Sequence, residues 1–167
     1  MRQATASKRD SAAFRHVMSL FATGVAVITS DGAAGPTGLT VNSICSLSLS
    51  PLLVMAGIDL SSRTLPAIQE SGKFGASILA KNQWEWSHRF ASKVPESEKF
   101  ADVPYVRHRG VPFLVDALAW LVCSVVAIHP GGDHVIVVGE VQAMGRRDDA
   151  STPLIFFEST YGTFTSG

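Results

Sequence analysis

Between Gly38 and Ser43 the chain reads GLTVNS, setting Thr40, Asn42 and Ser43 among strand-forming neighbours. Hydroxyl and amide side chains donate and accept hydrogen bonds but supply no strong acid, base or nucleophile near neutral pH. A second cluster, SSRT at 61–64, puts Ser61, Ser62 and Thr64 where a short helix is expected to start, and the free N–H groups of a helix start favour an anion. The five histidines, at 16, 88, 108, 129 and 134, form no HxH or HxxxH pair, and Cys45 and Cys123 belong to no CxxC spacing, so no metal centre is expected. GxGxxG, GxxxxGK[ST] and GxSxG are all absent. Such an inventory suits a chain that binds a cofactor and lets it bring the reactivity. From composition alone, Thr40, Asn42 and Ser43 fit a solvent-facing edge strand equally well, and Ser61 to Thr64 fit an ordinary helix cap.

The elements that must position these groups are mostly strands. With 167 residues, 46% apolar and 17% charged, one ordered domain with a sizeable core is expected. Residues 1–10 read as a frayed polar tail, a helix starts near Asp10 or Ser11, and the domain runs over 11–167. Phe14, Val17, Met18 and Phe21 recur at helical spacing and make one apolar stripe. Strands are expected over 25–30, 37–50, 52–59, 73–80, 117–129, 134–147 and 154–160. In the 37–50 strand Leu47 and Leu49 face one side and Ser46, Ser48 and Ser50 the other. Helices are expected over 61–72, ended by Gly72, and over 82–92, capped by Asn82, with about one helical turn within 95–103. PGGD at 130–133 makes a hairpin turn. Trp84 and Trp86, two apart on a helix, cannot both be buried. Six or seven consecutive strands with few helices to cover them point to closure into a barrel.

Lys and Arg number 14, as do Asp and Glu, so no basic face is expected for nucleic acid, and the cancelled charge suits a chain that buries surface in an oligomer. The run LAWLVCSVVAI at 118–128 is too short to span a membrane. The polar N-terminus has no apolar segment behind it. A cytoplasmic protein with two buried free thiols is the expectation.

Taken in order, FATGVAVITS (21–30), GLTVNSICSLSLSPLLV (38–54), SSRT (61–64), KFADV (99–103) and GDHVIVVGEV (132–141) resemble the short-chain flavin reductases, the reductase components of two-component flavin monooxygenases. The resemblance covers roughly residues 11 to 164. It implies a mainly β, Greek-key FMN-binding split barrel with a few short peripheral helices, forming a homodimer. It implies hydride transfer from NADH or NADPH to FMN, with FAD possible, and delivery of reduced flavin to a separate monooxygenase. Flavin is then expected on Gly38, Leu39, Thr40, Val41, Asn42, Ser43 and Asp59, with its phosphate on Ser61, Ser62 and Thr64. Arg89 and Lys99 are the candidate phosphate cations, and Phe100 a cover for a ring edge. His134 and Tyr161 are expected at the nicotinamide. No catalytic side chain is needed, because hydride passes between two cofactors. The competing reading is a split-barrel protein that holds flavin or haem without turnover.

Overall fold

The computed structural model describes residues 8–149 and 152–164. In chain order the elements are α1 (Lys8–Ser19), β1 (Thr23–Gly24), β2 (Ala26–Gly32), β3 (Gly35–Val41), β4 (Ile44–Leu49), β5 (Leu52–Asp59), α2 (Thr64–Ser71), β6 (Lys73–Ile78), α3 (Trp84–Ala91), α4 (Glu96–Lys99), β7 (Tyr105–His108), β8 (Val111–Leu114), β9 (Ala119–Gly131), β10 (His134–Arg146), β11 (Ile155–Phe157) and β12 (Thr160–Gly162). Seven strands form one antiparallel sheet in the order β3-β2-β6-β9-β10-β5-β4. β1, β11 and β12 form a small second sheet, and β7 and β8 a separate hairpin.

The connection from Val41 to Ile44 makes this sheet curl. β3 and β4 are its two edges, yet only Asn42 and Ser43 lie between them. Laid flat, seven strands would put those edges about 29 Å apart, six spacings of roughly 4.8 Å. Three chain steps reach at most about 11 Å. The sheet must therefore bend into a barrel that brings the end of β3 to the start of β4 with no ladder between the two strands, which leaves a split there.

β2 is buried on both faces. Ala26 and Ile28 point into the barrel with Val54, Ile58, Phe74, Cys123 and Val137. Val25 and Val27 point outward under Phe90 of α3 and Phe100, which follows α4. Burying a phenylalanine as completely as Phe90 (1% exposed) contributes roughly 2–3 kcal/mol. Phe90 and Phe100 meet edge to face at 5.0 Å, and Phe100 does the same to Tyr105 at 5.1 Å. This second core sits α3 and α4 on β3.

Several expectations change. Residues 37–50 are two strands, because the barrel closes through Asn42–Ser43. β4 carries a bulge between Ser46 and Ser48, so strict alternation fails and Leu47 and Leu49 are both exposed, Leu49 at 86%. Cys45 lies on the same edge strand and is exposed, whereas Cys123 is buried. α1 begins at Lys8, ahead of Asp10; residues 1–7 of the expected tail lie outside the described residues. Its stripe is uncovered, with Phe14 66% and Phe21 70% exposed. Asn82 does not cap α3: it sits inside a 3-10 turn, where Gln83 Oε1 accepts from the Ala80 N–H at 2.8 Å. The β7–β8 hairpin was not expected; its turn has Arg109 and Gly110 both at positive φ, the geometry of a tight two-residue hairpin. β5 spans 52–59 as expected, Gly72 ends α2 in the left-handed conformation, and Gly132 at φ 83 turns the β9–β10 hairpin. Trp84 is 46% exposed while Trp86 packs partly on the second core.

Candidate functional site

A cleft of about 750 Å³ opens beside the split. One wall is the end of β3 with the crossing to β4, residues 39–43. The opposite wall comes from Gly57 and Asp59 of β5, His134 of β10 and the 61–63 turn. The end of α3 and the following residues 91–93 close one side, and Tyr161 of β12 another.

The β3 wall explains what its polar residues do. The Gly38 N–H donates to Glu96 Oε2 at 2.9 Å and the Gly38 carbonyl accepts from Lys99 Nζ at 2.9 Å. Gly38 thus turns its backbone groups away from β2. By the two-residue period of an antiparallel edge strand, Thr40 turns its N–H and C=O the same way, and Thr40 lines the cleft. The Thr40 hydroxyl, however, donates to the Ser87 carbonyl at 2.7 Å and the Ser43 hydroxyl to the Gly57 carbonyl at 2.9 Å. Both side chains hold the scaffold. Among the described residues Asn42 makes no side-chain hydrogen bond, so it alone of the three keeps a free donor and acceptor.

Gly38 itself lies beneath the wall. An added Cβ would stand 2.6 Å from Phe90 Cε1, so only glycine lets β3 rest on that ring. Lys99 is 5% exposed and lines the cleft. Its charge is balanced by Glu96 Oε1 at 3.1 Å, which also faces Arg63 Nε at 3.3 Å. That carboxylate oxygen has no well-directed hydrogen bond; the two cations hold it by charge.

At the 59–63 turn, Asp59 Oδ1 accepts from both the hydroxyl and the N–H of Ser61, each at 2.7 Å. These bonds, the hydroxyl first, hold the Asp59 carboxyl below the usual carboxylate range. The Ser61 hydroxyl proton is therefore committed. Ser62 Oγ instead accepts from the Thr64 N–H at 3.1 Å, leaving its own proton to donate outward. Arg63 donates to the carbonyls of Lys93 and Val94, tying the turn to the loop after α3. The cleft lining carries Arg63, Lys93 and Lys99 against one carboxylate, Asp59, a balance that favours an anionic ligand.

His134 pairs across strands with Asp59, is 46% exposed at its side chain, and has Nδ1 2.7 Å from Asp133 Oδ1. A neutral imidazole donating there leaves Nε2 as an acceptor. The Tyr161 hydroxyl is 2.7 Å from the buried Ser87 hydroxyl, and its ring meets His88 edge on at 5.0 Å. β12 is thereby fixed to α3 next to the point where Thr40 is fixed.

Of the residues singled out from sequence, 39–43, Asp59, Ser61, Ser62, Lys99, His134 and Tyr161 come together on the lining. Thr64, Arg89 and Phe100 do not. Thr64 is buried in the first turn of α2, the Arg89 guanidinium donates to the Ala101 carbonyl on another face, and Phe100 is a core residue. Arg63 as an anchoring cation and Lys93 were missed. The arginine within SSRT and the lysine just after α3 were the available signal. No group of three His, Cys, Asp or Glu side chains able to hold a metal ion occurs among the described residues.

Over residues 18–165 the chain matches the flavin reductase like domain. It is 37% identical over 157 residues to the FMN reductase (NADH) SmoA of Agrobacterium fabrum, covering 93% of this chain and 87% of that protein. Against a longer probable flavin reductase of Rhizobium meliloti it is 40% identical over 141 residues, 83% of this chain but 45% of that protein. The crystal structure of nitrilotriacetate monooxygenase component B from Mycobacterium thermoresistibile superposes with a TM-score of 0.89 at 34% identity, covering 94% of this chain and 88% of that one.

Proposed function

This chain belongs to the flavin reductase like domain family, and we infer that it is an NAD(P)H:flavin oxidoreductase that reduces FMN or FAD by hydride transfer. The observation that carries this reading is the β3 edge: Gly38 turns both backbone groups away from β2, and Thr40, two residues on, lines a cleft whose lining also carries three cations and His134. The residues suit a flavin. The cleft volume accommodates a tricyclic ring with its ribityl phosphate. The strand edge offers N–H groups to the ring's pyrimidine oxygens, and the small side chains there let the ring approach.

Flavin bound in the cleft supplies an acceptor for the hydride of a reduced nicotinamide. The protein's own work is binding and orientation. Backbone groups of 39–43 and the Asn42 amide would hold the pyrimidine edge. Lys99, fixed by Gly38 and Glu96, would offer a positive charge to a ring bound in the cleft, where negative charge grows on reduction, without reorganising to do so. Ser62, Arg63 and Lys93 would hold the phosphate. His134, through its free Nε2, and Tyr161, with its hydroxyl set by Ser87, would align the nicotinamide, so the chain's part would be to position two rings, with no nucleophile needed.

Reduced flavin passes to a separate monooxygenase, in keeping with the monooxygenase component among the structural relatives. The working unit is a homodimer. The uncovered stripe of α1 and the exposed Leu47, Leu49 and Leu52 of the β4–β5 hairpin are the apolar surfaces a second copy would cover. No helix among the described residues is long and apolar enough to cross a membrane. Two unpaired thiols, one exposed, suit a reducing cytoplasm. Aerobic NADH oxidation with FMN, followed at the nicotinamide absorbance band, tests the activity. Steady oxidation dependent on both protein and flavin supports it, and flavin binding without oxidation would leave a flavin-holding protein instead.

A further inference from the structure

A second, shallower cleft of about 480 Å³ adjoins the first, and Ser92 lines both. Residues 92–94 form the rim between them. On the near side lie Lys93 and Arg63, the phosphate cations of the proposed flavin site. On the far side are His88, Arg89, Val94, Glu98, Ala101 and Asp102.

Three properties of the far cleft constrain what fits it. Its walls are preset. The Arg89 guanidinium is pinned on the Ala101 carbonyl, Ser92 Oγ donates to the Arg89 carbonyl at 2.7 Å, and His88 is braced edge on by Trp84 at 5.7 Å and Tyr161 at 5.0 Å. It offers flat partners, an imidazole and a planar guanidinium, of the kind on which a nucleobase stacks. Finally, Glu98 and Asp102 outnumber Arg89 among its permanently charged groups. A second phosphate is disfavoured there, while carboxylates readily accept from ribose hydroxyls or an exocyclic amine.

We propose that this cleft is a subsite for the adenosine half of a dinucleotide whose other half occupies the first cleft, its pyrophosphate crossing the rim at Arg63 and Lys93. The proposal rests on the flavin reading above. The adenosine belongs either to FAD or to the reduced nicotinamide dinucleotide. In the first case the protein prefers FAD to FMN; in the second the acidic wall selects NADH over its 2′-phosphorylated form.

The test is Ala101→Leu, which adds a flexible aliphatic group to the cleft lining and leaves the backbone carbonyl used by Arg89 in place. Ala101 is no part of the first cleft, and a matching far-UV spectrum and melting temperature establish folding. Binding of AMP to flavin-free protein is measured by calorimetry, and Kd values for FMN and FAD by flavin fluorescence. AMP is expected to bind the parent and to weaken about tenfold or more in the variant, the scale of one lost stacking contact. If FAD supplies the adenosine, its Kd rises similarly while that of FMN stays put. If the nicotinamide dinucleotide supplies it, both flavins are unaffected and the KM for NADH rises relative to that for reduced nicotinamide mononucleotide. AMP binding equally to parent and variant, not binding at all, or FMN weakening alongside FAD would each overturn the subsite. Failure of FMN to bind the parent would instead overturn the flavin reading itself. Should the variant not fold, Glu98→Ala, which removes a carboxylate acceptor at an exposed wall position, gives the same comparison.

Discussion

Lys99 and Gly38, 61 positions apart, are joined by a buried bond in which Nζ donates to the carbonyl at 2.9 Å, while Glu96 accepts from the N–H of the same glycine. One residue of an edge strand thus has both backbone groups satisfied by two side chains of a single helical turn. The β3 wall of the cleft is held where its next outward-facing residue, Thr40, can meet a ligand.

Removing one side of this clamp strands the other. Lys99→Met leaves the Gly38 carbonyl unpaired and Glu96 with Arg63 and the Gly38 N–H alone, a loss expected to cost about 2–4 kcal/mol. Urea denaturation measures it. Flavin affinity is expected to fall as well, and a variant as stable and as tightly binding as the parent would show that the clamp is idle.

Gly38→Ala drives a methyl against Phe90, at 2.6 Å from Cε1 and 2.7 Å from Cδ1. Overpacking of this sort costs about 1–3 kcal/mol. The midpoint of chemical denaturation is expected to drop accordingly, with Phe90→Leu in the same chain restoring part of it. No drop would mean that β3 does not rest on the ring.

His134→Ala is expected to raise the KM for NADH about tenfold, the loss of roughly one hydrogen bond to a bound ligand, while the flavin Kd stays within about twofold. Steady-state kinetics and fluorescence titration separate the two. A large change in flavin affinity with KM unaltered would reassign the residue to the flavin.

Burial pushes the Cys123 thiol up to about 12, whereas Cys45 is exposed on β4. Thiolate is the reactive form. One equivalent of Ellman's reagent is therefore expected to react with dilute, monomeric native protein, and two after unfolding. Two fast equivalents in the native state would contradict the placement of Cys123 inside the barrel.

The Asp59 carboxyl is held below its ordinary range by Ser61. A depressed folded pKa contributes stability above the unfolded value, about 3.9, and that contribution is lost as pH falls through the folded value. The 59–62 turn is expected to be indifferent to pH from 5 to 8 through this group and to loosen only in more acid solution. In a carboxyl NMR titration, Ser61→Ala should move Asp59 back up toward the ordinary range, and an unmoved titration would remove Ser61 as the cause.

Local signals carried much of the fold. β5 is bounded by Pro51 and the Asp59 turn, α2 ends at Gly72, and the β9–β10 hairpin turns at Gly132, all features that neighbouring residues encode. The break at Asn42–Ser43 was hidden because it follows from the sheet edges meeting, a tertiary constraint. At the site, the chain positions of the lining were legible but the duties of the side chains were not. The Thr40 hydroxyl finds its partner 47 residues away and Lys99 its partner 61 residues away, separations on which periodicity is silent. Phe100 and Arg89 lie off the first cleft, one in the core and the other on the adjoining cleft; an aromatic or a cation near a motif has the same sequence signature whichever way it faces.

Titration of a fixed FMN concentration with purified protein, followed by addition of NADH, tests the central claim most directly. Saturable quenching of flavin fluorescence is expected, then oxidation of NADH at a rate that falls sharply in Asn42→Asp, where a carboxylate replaces the uncommitted amide of the β3–β4 crossing. Absence of quenching at saturating protein, or turnover indifferent to that charge, would contradict a flavin held against this strand edge.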